Sequence, residues 1–267
     1  MDFEVPKVMG ILNCTPNSFF DGGKYKTETD YLKQTEKMLV DGASIIDLGA
    51  YSTQPNAPFV SEEEELNRIL PVVSSIVKHF PEAILSIDTF RAEVAKQCIE
   101  NGGLIINDVS AGFLDENMLE VVGKYKVPYI MMHMKGTPQN MQKFTDYDDV
   151  MKDMMFYFSE RIATAKQHGI TDIILDPGFG FSKTLDQNYE VLNKLELLNE
   201  FNLPVLSALS RKSMIYKFLE TEPNQVLNGT TVLHTISLMK GAKLLRAHDV
   251  KEAVECVKLT QKMYENK

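Results

Sequence analysis

Apolar residues along this chain fall into eight short, nearly continuous runs. Each is followed by a stretch in which apolar and charged positions recur at helical spacing. The runs are Val8–Asn13, Ser44–Leu48, Ile84–Asp88, Leu104–Asp108, Pro128–His133, Asp172–Asp176, Pro204–Leu209 and Lys243–Arg246. Runs without a polar face suit parallel strands covered on both sides. Between them, Tyr31–Asp41 sets Leu32, Met38 and Leu39 among Lys and Glu, and Glu63–His79 lines up Leu66, Ile69, Leu70, Val73 and Ile76. The stretches Asn117–Lys126, Asp148–His168, Tyr189–Phe201, Thr231–Lys240 and Lys251–Tyr264 follow the same rule and read as helices. Gly42, Gly102, Gly169 and Gly241 stand where helices should stop.

Strands alternating with helices predict parallel pairing and right-handed crossovers. Eight units averaging about 33 residues match a closed (β/α)8 TIM barrel, and residues 1–267 are expected to form that one domain. An open doubly wound sheet is the alternative. It would carry a phosphate-binding glycine loop after its first strand, where this chain has Asn13-Cys-Thr-Pro.

A barrel places its chemistry where strands end. Those ends carry Asn13, Asp47, Asp88, Asn107 with Asp108, His133 with Lys135, Asp176, Ser210-Arg211-Lys212, and Arg246 with His248. Helix capping accounts for any single Asp or Asn. It does not account for Lys212, Arg246 and His133 at the same depth, and the set predicts a site for a polar, hydrogen-bonding small molecule. Three long connections flank it: Asn13 to a helix starting near Thr29, Tyr51–Pro58, and Met134–Tyr147. Loops of such length often serve as lids. Gly178-Phe-Gly-Phe-Ser-Lys183-Thr184 imitates a P-loop but lacks the glycine before its lysine. His133 and His248 have no third His or Cys nearby, so a structural or anion-binding role is expected rather than metal ligation.

Composition narrows the partners. With 28 Lys and Arg against 37 Asp and Glu the net charge is −9, which argues against a nucleic-acid or anionic-membrane partner, since either wants a basic face. No apolar stretch reaches the length of a membrane span. Three scattered cysteines argue against a disulfide framework or a zinc site. The acidic start, Met1 to Lys7, does not read as a signal peptide, so a cytoplasmic location is expected.

From Val8 to Glu252 the chain resembles the dihydropteroate synthase family. The resemblance is carried by Met9-Gly-Ile-Leu-Asn-Cys-Thr-Pro-Asn-Ser-Phe-Phe-Asp-Gly-Gly23, Asp47-Leu-Gly-Ala-Tyr-Ser-Thr53, Ser86-Ile-Asp-Thr89 and Ile106-Asn-Asp-Val-Ser110. Met132-His-Met-Lys-Gly-Thr-Pro138, Leu175-Asp-Pro-Gly-Phe-Gly-Phe181, Leu209-Ser-Arg-Lys-Ser213 and Arg246-Ala-His-Asp-Val250 complete it. The resemblance implies a barrel enzyme that joins 6-hydroxymethyl-7,8-dihydropterin diphosphate to p-aminobenzoate, releasing pyrophosphate. By that likeness Asp88, Asn107 and Asp176 would bind the pterin edge, with Lys212 on its carbonyl side. Arg246, His248 and Asn13 would hold the diphosphate, Asp47 would contribute on the same side, and Asn13 would ligate Mg2+. Thr53, Pro55, Phe19, Phe181, Lys212 and Ser213 would surround p-aminobenzoate, its carboxylate at the start of the helix after Ser210. The bond to pyrophosphate would break first, and Asp21 would stabilise the pterin-methyl cation. A homodimer is implied as well.

Three positions leave the family pattern. Gln54 stands where Arg is usual, Asn56 where Gly is, and Asn17 where Asp is. Two other functions remain open from sequence. One is a pterin-binding methyltransferase, which Ser210-Arg-Lys-Ser213 and the first-loop signature disfavour. The other is a non-catalytic pterin-binding relative, which the loop departures would suit.

Overall fold

The computed structural model describes residues 2–14, 27–52 and 59–265. The expectations for Asn17, Phe19, Asp21, Thr53, Gln54, Pro55 and Asn56 fall outside the described residues. Eight parallel strands, β1 (Lys7–Asn13), β2 (Ile45–Gly49), β3 (Leu85–Asp88), β4 (Ile105–Asp108), β5 (Tyr129–Met132), β6 (Ile173–Asp176), β7 (Leu206–Ser207) and β8 (Leu244–Ala247), alternate with helices. These are α1 (Glu28–Val40), α2 (Glu62–His79), α3 (Ala92–Glu100), α4 (Met118–Tyr125), α5 (Val150–Gln167), α6 (Leu185–Asn193), α7 (Ser213–Tyr216), α8 (Leu227–Met239) and α9 (Val250–Tyr264). The strands pair in the order β6-β5-β4-β3-β2-β1-β8-β7. A parallel bridge between Leu175 and Val205 joins the two outer strands and closes the ring. The TIM barrel is therefore the fold, and the open sheet is ruled out. No helix among the described residues is long and apolar enough to cross a membrane.

Helix starts follow capping chemistry. Thr27 and Asp30 form a reciprocal capping box that begins α1, and Thr184 with Gln187 does the same for α6. Gly42, Gly102, Gly169 and Gly241 all take positive φ, as the sequence predicts at helix stops. The expected single helix Tyr189–Phe201 needs correction. α6 starts earlier, at Leu185, and stops at Asn193, and Leu195–Phe201 winds as a 3-10 helix. The tighter three-residue repeat puts Leu195 and Leu198 on one edge, and both are buried.

Successive strand residues face opposite sides, so the barrel interior samples every second position. Met9, Ile45, Ile105, Ile130, Ile174, Leu206 and Leu244 meet there as a dry floor. Two residues further along their strands stand Asp47, Asn107, Asp176 and Arg246. The other face, with Ile46, Leu48, Ile87, Ile106, Leu175 and Leu245, packs under the helices in the main apolar cluster. A floor of hydrocarbon below and a layer of polar groups above follows from that alternation.

One glycine governs how a strand leaves this layer. Gly178 has a φ of 68°, and a Cβ there would come within 2.2 Å of the His133 carbonyl oxygen. Its N–H donates to Asp176 Oδ1 at 2.8 Å. Gly178→Ala is expected to cost roughly 2 kcal/mol or more in unfolding free energy. Urea denaturation checks this, and a cost near zero would mean the turn has room that its contacts deny.

Candidate active site

A cavity of about 720 Å3 opens over the carboxyl ends of the strands. Asn13, Asp88, Asn107, Asp176, Phe181, Lys212, Ser213, Arg246 and His248 all line it, each where the sequence predicts a site residue. At its base Arg246 donates from Nε to Asp47 Oδ2 at 2.6 Å and from Nη2 to Asp88 Oδ2 at 2.7 Å. Asn107 Nδ2 donates to the same Asp47 oxygen at 3.1 Å. Asp47 is fully buried and does not line the cavity; it anchors Arg246 from beneath. Its Oδ1 has no hydrogen-bond partner among the described residues.

Burial sets the electrostatics. It raises Asp88 above the usual carboxylate range; Arg246 pulls down, and Asp47 pushes further up. Asp176 is also raised by burial, against the pull of the Gly178 N–H and of Lys212. Lys212 is lowered to about 8 by burial, with Asp176 opposing, and its Nζ lies 4.4 Å from the centre of the Phe181 ring. For Arg246 burial works against the charge, and Asp47 and Asp88 outweigh it. The well therefore offers carboxyls close to sharing their protons, one firm cation and one adjustable cation. That is chemistry for a ring whose edge both donates and accepts hydrogen bonds.

His248 lines the cavity beside Arg246. Burial and the nearby Arg246 lower it to about 3, so its ring is neutral at physiological pH. Its backbone N–H donates to Ser210 Oγ at 3.1 Å, and that oxygen stands 3.0 Å from Nδ1. A neutral ring brings no positive charge to the cavity, so the firm cation at this position is Arg246.

Three strand-end groups, Asp108, His133 and Lys135, do not line the cavity. Asp108 accepts from Ser110, Gly112 and Tyr129, binding the β4 turn to β5 outside the barrel. His133 is buried among Tyr147, Tyr157 and Phe158 and does not line the cavity. Lys135 pairs with Asp153 at 2.9 Å. Arg211 does line the cavity, with its guanidinium paired to both oxygens of Asp249 at 2.8 and 2.7 Å. A strand-end position fixes height in the barrel but leaves open which face a loop residue takes. The third long loop is ordered by its own contacts and places Met141 on the cavity. Thr137 N–H bonds Asn140 Oδ1 at 2.7 Å, Lys135 N–H bonds Ser182 Oγ at 3.0 Å, and Met141–Lys143 form a 3-10 turn. The helix after Ser210 begins at Ser213 and has four residues.

Several lining residues were not marked as site residues by the sequence, namely Tyr51, Met132, Met141 and Lys183. Met132, Met141 and Phe181 gather with Val109 and Met134 into an apolar wall at the rim. Methionines in an apolar run carry no signal that separates wall from core.

A closed barrel with a polar well at the carboxyl ends of its strands is the architecture of an enzyme acting on a small polar molecule. The model of the pterin binding enzyme family matches residues 9–248. The chain is 43% identical to the dihydropteroate synthase of Escherichia coli (strain K12), over 98% of this chain and 93% of that one. The Yersinia pestis dihydropteroate synthase, solved in a sulfonamide drug complex, superposes with a TM-score of 0.95 at 40% identity, covering 99% of this chain and 96% of that one. The Xanthomonas albilineans dihydropteroate synthase with 4-aminobenzoic acid gives 0.91 at 36%, covering 99% and 95%. The chain belongs to the pterin binding enzymes, in their dihydropteroate synthase branch, and is a transferase of folate synthesis. The methyltransferase and the non-catalytic readings give way to that membership.

Proposed function

We propose that the pterin ring of 6-hydroxymethyl-7,8-dihydropterin diphosphate lies on Asp88, Asn107 and Asp176, with its diphosphate toward Arg246, His248 and Asn13. In the same reading p-aminobenzoate lies against Phe181, Lys212 and Ser213. The observation that carries it is Arg246 bridging Asp47 and Asp88 at the base of the well. Two of its five N–H groups are spent on those carboxylates, which fixes the guanidinium and leaves the others for a departing anion.

The C–O bond to the diphosphate breaks with its electrons going to pyrophosphate. Arg246 supplies preorganised positive charge there, beside the neutral ring of His248. The p-aminobenzoate nitrogen then bonds the pterin methylene carbon and loses a proton. That amine is a weak nucleophile, and the wall of Phe181 and the Lys212 stem serve to hold it in line. The Mg2+ expected from the resemblance suits the donors present: Asn13 gives one neutral oxygen, and Mg2+ is ordinarily held by one or two protein oxygens together with substrate phosphates. Bound there it would neutralise charge on the leaving pyrophosphate. Incubating the protein with both substrates and Mg2+ should yield 7,8-dihydropteroate and pyrophosphate, and absence of the product would overturn the reading.

Lys212 gives this reading a pH dependence. In its charged form it donates to the pterin carbonyl. Since burial lowers it to about 8, the proton leaves as pH rises through that value. Pterin affinity should therefore hold below about pH 8 and fall above it, while Lys212→Arg, protonated throughout, should flatten the profile. Calorimetric titration across that range decides, and a flat wild-type profile would remove Lys212 from the pterin contact.

The implied homodimer has an apolar face to use. Val232 and Met239 lie exposed seven residues apart on α8, and Leu219 lies beside Gly229 of the same helix. Sedimentation equilibrium tests the pairing, and a monomer at micromolar concentration would end it.

A further inference from the structure

The P-loop-like segment Gly178–Thr184 has a lysine that no step above uses. Lys183 is 4% exposed. Its Nζ lies 3.1 Å from the Gly178 carbonyl oxygen, 3.1 Å from that of Phe181, 3.4 Å from that of His133 and 3.0 Å from His133 Nδ1. Three carbonyl dipoles converge on one point there, and without a donor between them they would repel.

The segment supplying two of those carbonyls is wound against its preference. Gly178, Gly180 and Ser182 have φ of 68°, 83° and 44°, and the last lies in a region that costs a residue with a side chain on the order of 1 kcal/mol. Such a loop has to be held by side-chain contacts. On one side Asn188 Oδ1 accepts from the Gly180 N–H at 2.7 Å, and its Nδ2 donates to the Thr184 carbonyl at 2.6 Å. On the other side stands Lys183. Between the two anchors lies Phe181, whose carbonyl Lys183 holds and whose ring faces both the apolar rim wall and Lys212 Nζ. The lysine thus fixes the backbone from which the aromatic wall projects.

The geometry points to Lys183 as a positioning residue that sets the place of the Phe181 ring, and through it the affinity for the aromatic amine. It rests on the placement of p-aminobenzoate against Phe181 proposed above. Removing the donor should let the loop relax and the ring drift, which weakens acceptor binding and leaves the pterin carboxylates where they are. Lys183 acts here through Phe181 and not as a catalytic residue.

A double-mutant cycle tests it, pairing Lys183→Met, which keeps the stem and removes the donor, with Phe181→Ala. Steady-state kinetics should show KM for p-aminobenzoate up by about tenfold in Lys183→Met, with the pterin dissociation constant within about twofold of wild type. The double variant should be no worse for p-aminobenzoate than Phe181→Ala alone. Additive losses, or equal losses for both substrates, would overturn the inference. If Lys183→Met does not fold, Asn188→Ala releases the same loop from its other side and takes its place in the cycle, with the same two outcomes. A Phe181→Ala variant whose KM for p-aminobenzoate is unchanged would instead refute the placement of the acceptor.

Discussion

Arg246→Met should abolish synthesis, with kcat/KM falling by about 10^3-fold or more, and should destabilise the barrel by on the order of 3–5 kcal/mol. Both effects come from one geometry. Asp47 and Asp88 are joined by a single guanidinium at 2.6 and 2.7 Å, and Asp47 has no exposure to water. Without it two buried carboxylates face each other across the base of the well, and the leaving pyrophosphate loses its firm cation. The pH dependence has a definite sign. Burial already raises Asp88, and Arg246 is what pulls it down. A carboxyl raised in the folded state stabilises while protonated, and that contribution is lost as pH rises through its folded pKa. The variant should therefore be least destabilised in mild acid and deteriorate toward neutrality. Pairing it with Asp47→Asn removes one of the stranded charges, so the double variant should regain stability but not activity. Thermal melts at several pH values beside turnover assays separate the two, and an Arg246→Met enzyme that keeps most of its rate would refute the proposed anion site.

Much of this was legible in the sequence because strands buried on both faces must be apolar throughout. Eight such runs separated by amphipathic stretches leave few topologies, and each predicted run overlaps an observed strand. The polar residue ending a run was legible for the same reason. Asp47, Asn107, Asp176 and Arg246 interrupt an apolar pattern at positions where the period of two points them inward. What sequence could not supply was the direction of a side chain beyond the strand's end. His133 and Lys135 lie just past β5, yet the first packs among Tyr147, Tyr157 and Phe158 and the second pairs with Asp153. Nor could it show that Arg246 is engaged by Asp47 and Asp88, 199 and 158 residues away. Neutral His248 is a consequence of burial, which no local pattern encodes. α7, at four residues, is too short for any periodicity to register. Lys183 was visible only as the lysine of a failed P-loop, and its four polar neighbours come from two loops whose approach depends on the closed barrel.

Asp176→Asn should reduce pterin affinity by roughly thirtyfold or more while leaving the melting temperature within a few degrees of wild type. The carboxyl has one internal obligation: Oδ1 accepts the Gly178 N–H at 2.8 Å and so shapes the turn after β6. An asparagine keeps that oxygen and so keeps the turn. Its other atom becomes an NH2, a donor pointed at the donor groups of a guanidine-like ring edge. Losing a charge-assisted acceptor costs about 1.5–3 kcal/mol, and an opposed donor left unpaired adds to it. Asp176→Ala should lose comparable affinity but melt lower, because the Gly178 N–H is then unpaired in a turn that depends on it. Asp88 offers no such separation. Its Oδ2 holds Arg246, so Asp88→Ala disturbs the cation that Asp47 also engages, and its losses in binding and in stability should appear together. Calorimetric titration with a pterin, run beside melting curves for the three variants, distinguishes these patterns. Wild-type affinity in a folded Asp176→Asn protein would place the pterin elsewhere in the well and withdraw Asp176 from its recognition.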